Sequence, residues 1–158
     1  MKQLKSFGYA LRGIGTAVCT EAHLRFHLVA AVYVLVFACF YHFSPAQTAI
    51  LYMLIGLVIA AELINTALEN ICDLVTREQH PLIRAAKDMA AGAVLAISVA
   101  AAAVACVFFL DFKVIGEIFT YFAAHPLSLA GLAVSAATAV IFVWKGPSGI
   151  KRLLTKNK

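Results

Sequence analysis

The chain has 158 residues, 63% of them apolar and 13% charged, with a mean hydropathy of +0.89; this balance excludes an ordinary soluble domain and makes lipid the solvent. The formal charge of +5 does not point to nucleic acid, because the basic residues sit in short segments flanking apolar runs, where membrane orientation requires them. Cys19, Cys39, Cys72 and Cys106 are scattered without CxxC or Cys/His zinc spacing, so neither a disulfide framework nor a zinc site is expected.

Positions 1–19 carry Leu4, Phe7, Leu11, Ile14 and Val18 at steps of three and four, with Lys2, Lys5, Tyr9 and Arg12 opposite. That is an apolar stripe on a basic helix, which suits the headgroup plane or, equally, a helix packed on a bundle. The charged lead-in is too long for a secretory signal, and the N-terminus is expected to be retained.

Four apolar stretches follow, at 24–43, 45–71, 82–110 and 126–144, each near or above the ~20 residues that cross a bilayer. The expected fold is therefore all-α: a polytopic membrane helical bundle with an N-terminal amphipathic surface helix, three core spans and an additional C-terminal span. Residues 114–124 form an ambiguous connector. Ser44-Pro45 and His80-Pro81 mark helix starts, since proline fits the first turn, where its missing N–H has no helical partner. Lysine and arginine sort by segment: four up to Arg25, none between the first two spans, three from Arg77 to Lys87, one in the third loop and five after Phe142. The positive-inside rule then puts both termini and the middle loop in the cytoplasm.

From Pro45 to Val75 a helix of about 31 residues would run roughly 46 Å, against a hydrocarbon thickness of ~30 Å, and must project into the cytoplasm. Counting inward from Pro45 places Glu62 and Asn65 near the inner edge of the hydrocarbon, with Glu69 and Asp73 beyond it. Counting back from Leu110 brings Lys87 and Asp88 to the same level. Glu62, Asn65, Glu69 and Asp73 are spaced 3, 4 and 4, within an arc of roughly 80° on one helix face. Ionisable groups at this depth face a bundle interior or a watery site, so the stripe is a functional-site candidate; the plain alternative is a solvated or ion-paired face. Acidic oxygens suit Mg²⁺ bridged to nucleotide phosphates, Lys87 would neutralise phosphate charge, and Glu62, the least hydrated carboxylate, is the best base for a lipid hydroxyl. Neither a GxxxxGK[ST] loop nor a protein-kinase glycine loop is present, so these residues alone leave the phosphoryl donor open.

The segment ELINTALENICDLVTREQHPLIRAAKDMAAGAVL, with GYALRG and TEAHLRFH before it, resembles the signature of the prokaryotic diacylglycerol kinase and undecaprenol kinase family. The resemblance runs from the N-terminal helix to about Leu110, implying a lipid kinase core at 1–112, with a connector, an extra span and a basic tail at 113–158. It implies a homotrimer with shared active sites in the bacterial inner membrane, using Mg²⁺ and ATP to phosphorylate diacylglycerol or undecaprenol. By position, Glu62 aligns with the catalytic base, and Glu21 and Glu69 with the carboxylates that hold metal and nucleotide. Lys2, Tyr9, Asn65, Glu78, Gln79, His80, Lys87 and Asp88 align with nucleotide-side positions. Asp73, Arg25 and His27 are further candidates for supporting the site or the acceptor, and the LRFH ending at His27 is closer to the undecaprenol branch.

Other readings compete at single positions. Thr20-Glu21 could be an N-cap followed by a first-turn acid. His23 and His27, four apart, lack the third ligand of a metal site. Gly13, Gly15, Gly92 and the alanines at 100–103 allow close helix approach. A small proton-coupled transporter would also use a membrane-edge carboxylate at Glu62, but it leaves Glu21, Glu69, Asp73, Lys87 and Asp88 without a task. A silent subunit that kept the fold has no support in a chain that retains the acidic set and Lys87.

Overall fold

The structure, a computed structural model, describes residues 2–75 and 80–155, which form six helices in the order α1 (Lys2–Thr20), α2 (Ala22–Ala38), α3 (Pro45–Val75), α4 (Pro81–Phe109), α5 (Phe112–Ala124) and α6 (Pro126–Thr155). No strand occurs among the described residues. In lipid this follows from backbone chemistry, because only a helix satisfies its own N–H and C=O groups within one segment. Helices α3, α4 and α6 are each long and apolar enough to cross a membrane.

The stretch expected to span at 24–43 is shorter than its sequence suggested. Helix α2 has 17 residues and stops at Ala38, covering about 26 Å at 1.5 Å per residue. Pro45 disfavours helical geometry at Ser44, and residues 39–44 form a turn leading into α3. There Tyr41 and Phe43 pack on the end of α4, with ring centroids 4.9 and 5.2 Å from Phe109, and the Tyr41 hydroxyl donates to the Phe109 carbonyl at 2.7 Å. Burial, and then the nearby charge of Asp111, push the Tyr41 phenol above its usual pKa. Phe40 continues the aromatic cluster with Tyr121 and Phe122 of α5, the composition expected where helices meet the headgroups.

The ambiguous connector is a helix. Asp111 caps α5 by accepting from the backbone N–H groups of Lys113 and Val114. Helix α6 follows from Pro126 and bends at Gly146, so the span expected at 126–144 ends at a real break, beyond which Pro147 restarts the helix.

Helix α1 meets α2 at a bend of 103°. Its apolar stripe is largely uncovered, with Leu4 78%, Phe7 70% and Leu11 69% exposed, whereas Ala17 near its end is buried. The structure shows parts of both settings the sequence allowed: the apolar face of α1 is exposed along most of its length, and the helix also packs on α6, α2 and α3. The interior is thin, with Leu24, Leu51, Val58 and Val94 as its buried aliphatic side chains beyond alanine. Lipid is as apolar as leucine, so helices here associate through close packing and polar contacts rather than water exclusion. The most extensive pairing is α3 with α4, followed by α2 with α6. Tyr33 and Ser135 join α2 to α6 through hydroxyls 2.9 Å apart. A β-carbon built at Gly13, Gly15 or Gly92 meets nothing within 4 Å, so these glycines do not serve packing inside the described part of the chain.

Removing the Asp111 cap by Asp111→Ala is expected to cost about 1 kcal/mol of stability, whereas Asp111→Asn, an equally good cap, leaves it unchanged. Thermal unfolding in detergent micelles distinguishes the two.

Candidate active site

Helix α3 brings the acidic stripe through a gradient of exposure that sorts its members. Asp73, near the end of α3, has a 66% exposed side chain, while Glu62 has one only 6% exposed. Glu62 lies roughly 26 Å along α3 from Pro45 at 1.5 Å per residue, close to the full hydrocarbon thickness. Helix α2 runs alongside and places His27 at that level, with Nε2 3.1 Å from Glu62 Oε1. A carboxylate taken out of water needs such a partner, because an unpaired buried charge is strongly disfavoured.

One turn further, the Asn65 amide donates to Glu69 Oε1 at 2.9 Å. This fixes the Glu69 carboxylate and leaves the Asn65 Oδ1 buried with no hydrogen-bond partner among the described residues. A buried amide oxygen in that state is costly and calls for a donor or a cation. Another turn on, Lys87 of α4 donates to Asp73, closing the water-facing end of the α3–α4 hairpin. His80 occupies the N-cap of α4, its Nδ1 accepting from the Leu82 N–H at 3.3 Å, with Pro81 in the first turn. The helix start at His80-Pro81 is thus as expected, and Nδ1 is committed to it.

Glu21 sits at the N-cap position of α2 in extended geometry, but its side chain makes no capping hydrogen bond. Thr20 belongs to α1. The capping alternative therefore does not account for the Glu21 carboxylate, which stays available at the apex of the α1–α2 bend. Tyr9 is 66% exposed on α1, with the Arg12 guanidinium 5.9 Å from its ring centre. Asp88 is exposed on α4. Glu78, Gln79 and the side chain of Lys2 lie outside the described residues.

Arg25, expected among the site supports, points elsewhere. Its guanidinium donates to the carbonyls of Val18, Cys19 and Val143 and pairs with no carboxylate among the described residues. The sequence offered no local sign of this, because Val143 is 118 positions away. The His27–Glu62 pair was closer to view, since both residues can be assigned the same depth.

Toward the hydrocarbon from this pair lies a cavity of about 160 Å³ between α2, α3 and α4, lined by His27 and by apolar side chains including Val34, Leu51, Val58 and Ala101. Among the described residues no three His, Cys, Asp or Glu side chains converge into a metal cage. Mg²⁺ bound with nucleotide needs less, usually one or two carboxylates with phosphates and waters completing its shell. The oxygens of Glu69 and the Asn65 Oδ1, unpaired among the described residues, are the hard donors it prefers, and Glu21 carries another carboxylate at the α1–α2 bend, so the donor types present fit that ion.

A family model described as prokaryotic diacylglycerol kinase matches residues 8–109. The chain belongs to that family. It is 42% identical over 106 residues to an undecaprenol kinase of Bacillus subtilis (strain 168), covering 67% of this chain and 86% of that one. It is 41% identical over 99 residues to a diacylglycerol kinase of Synechocystis, covering 62% and 57%, and 32% identical over 104 residues to a diacylglycerol kinase of Escherichia coli (strain K12), covering 66% and 85%. As a member of the prokaryotic diacylglycerol kinase family, the protein is a lipid kinase of the bacterial membrane. The match starts within α1 and ends at the last residue of α4, so every site residue described above except Val143 falls inside it or at its N-terminal side.

Because the Lys87–Asp73 pair is exposed and strained little by burial, Asp73→Asn is expected to leave the thermal midpoint in micelles unchanged within error, as for most solvent-screened pairs.

Proposed function

We propose that the protein transfers the γ-phosphoryl group of Mg-ATP to the free hydroxyl of diacylglycerol or undecaprenol at the cytoplasmic face of the inner membrane. The observation that carries this reading is the buried Glu62, held by His27 at 3.1 Å at the depth where a lipid headgroup hydroxyl lies. In the proposed reaction Glu62 takes the hydroxyl proton, the freed oxygen attacks the γ-phosphorus in line, and the bond to the β-phosphate oxygen breaks to release ADP. His27 orients the base and remains hydrogen-bonded to it. The acceptor enters laterally, its hydrocarbon part against the apolar cavity next to His27.

The nucleotide lies on the water side of Glu62. Glu69, oriented by Asn65, and Glu21 hold the metal with the phosphates, and bound Mg²⁺ supplies neutralisation of the phosphate charge. Lys87 contributes a cation within reach of the same stripe, Asp88 supports it, and Asp73 holds Lys87 in place. Tyr9 offers an exposed ring for adenine stacking. Lys2, Glu78, Gln79 and His80 complete the nucleotide side by resemblance. A homotrimer with shared sites agrees with the thin interior and with the exposed apolar faces of α3 and α4. Both termini and the α3–α4 loop face the cytoplasm in this reading, and residues 1–112 form the catalytic core. A proton-coupled transporter would use Glu62 but neither the Asn65–Glu69 nor the Lys87–Asp73 contact.

The test is transfer of labelled phosphate from Mg-ATP in mixed micelles, with diacylglycerol and undecaprenol offered separately. Transfer to at least one lipid is expected, and Glu62→Gln should lower kcat by about a hundredfold or more, the usual scale for a lost general base. An enzyme that phosphorylates neither lipid, or a Glu62→Gln variant with full turnover, contradicts the reading.

A further inference from the structure

The family match ends at residue 109, and the roles assigned above leave α5 and α6 without a task. One side chain ties α6 to the nucleotide side. Arg25 is 4% exposed, and a guanidinium stays charged with five N–H donors in a rigid fork, so burying it requires acceptors and a compensating negative potential. Its Nε donates to the Val143 carbonyl at 3.0 Å, and its Nη1 donates to the carbonyls of Val18 and Cys19 at 2.9 and 3.2 Å. These carbonyls belong to the last turn of α1 and to the last turn of α6 before its break. Carbonyls at a helix C-terminus have no partner within the helix and carry the negative end of its dipole. Two helix ends therefore converge on one cation.

The α6 end exists because Gly146 interrupts the helix with φ +61° and ψ 175°, a backbone conformation that favours glycine. A β-carbon at that position would also lie 3.0 Å from Arg25 Nη1 and 3.1 Å from its Cζ. The backbone thus favours glycine, and any larger residue would push the guanidinium from its place by a few tenths of an ångström. On its other side, the Arg25 backbone N–H donates to the Glu21 carbonyl at 3.3 Å, and Glu21 is the apex of the 103° bend between α1 and α2.

We propose that Arg25 and the Gly146 break form a clamp through which α6 sets the α1–α2 elbow, making Arg25 a positioning residue for Glu21 on Mg-ATP. The proposal rests on the kinase reading of Glu21 given above. It makes the C-terminal helix a working part of this kinase: α6 supplies one of the carbonyls that hold Arg25, from outside the matched region. Loss of the clamp leaves Glu62, His27 and the acceptor cavity in place and loosens only the carboxylate at the elbow.

The experiment measures steady-state kinetics of the full chain in mixed micelles for wild type, Gly146→Ala and Arg25→Lys, varying Mg-ATP and the lipid acceptor in turn. Both variants are expected to raise KM for Mg-ATP roughly ten- to a hundredfold, the usual cost of losing a group that orients a metal-binding ligand. Turnover at saturating nucleotide and KM for the acceptor should stay within about twofold, the pattern of lost binding rather than lost chemistry. A merely structural role would instead lower the active fraction, and hence apparent kcat, at unchanged KM. Should Gly146→Ala fail to fold, Arg25→Lys, which keeps the charge and loses the fork, decides alone. Unchanged KM for Mg-ATP in an active, folded variant overturns the clamp and leaves the kinase reading standing; an inactive wild type overturns both.

Discussion

A carboxylate buried between apolar helices is the constraint around which the rest of this structure is arranged. Glu62 is 5% exposed, and an ionisable group there needs a partner within hydrogen-bonding distance or it is driven neutral. The partner, His27, comes from α2, so α2 has to begin beside the last third of α3. The 103° bend between α1 and α2, with Glu21 at its apex, falls near the same level. Helix α3, at 31 residues, is also longer than a bilayer crossing requires, and the same face continues past Glu62 through Asn65 and Glu69 to the exposed Asp73. A buried carboxylate and a more exposed polar cluster are thereby joined on one rigid helix, with a separation set by helical rise.

Much of this was legible in the sequence because helices write themselves in periodic form. The spacing of Glu62, Asn65, Glu69 and Asp73 put them on one face, and the structure adds that Asn65 bonds Glu69 within the stripe while Asp73 reaches across to Lys87. Pro45 and Pro81 marked two helix starts. The end of α2 was misjudged because aromatic residues after Ala38 are as apolar as a span, yet Pro45 and the packing of Tyr41 and Phe43 on Phe109 make them a turn. Residues 114–124 read as ambiguous, since an amphipathic helix and a loop at an interface share a composition. Asp111 as its cap was the overlooked signal.

Contacts between distant helices were not legible. Nothing local announces that Arg25 will meet Val143, or that the glycine of Lys145-Gly146-Pro147 will leave room for a guanidinium. Glycine before proline near the end of an apolar run signals a break, but not what fills it. The pairing of Arg25 with two helix ends joins α6, which lies outside the matched region, to the rest of the bundle: a carbonyl of α6 meets the same buried cation that serves the end of α1. Close packing with α2, including the Tyr33–Ser135 contact, then holds it there without requiring any hydrophobic drive between helices.

In the proposed reaction labour is divided along one helix face, with Glu62 serving the acceptor hydroxyl and Glu69 serving the metal and nucleotide. Equilibrium Mg-ATP binding to Glu62→Gln and Glu69→Gln, each in micelles without lipid acceptor, tests this division most directly. The expected result is wild-type affinity in the Glu62 variant and a loss of roughly tenfold or more in the Glu69 variant, as for removal of a metal-coordinating group. Equal loss of binding in both, or loss in the Glu62 variant alone, would place Glu62 in the nucleotide site and contradict its assignment as the base.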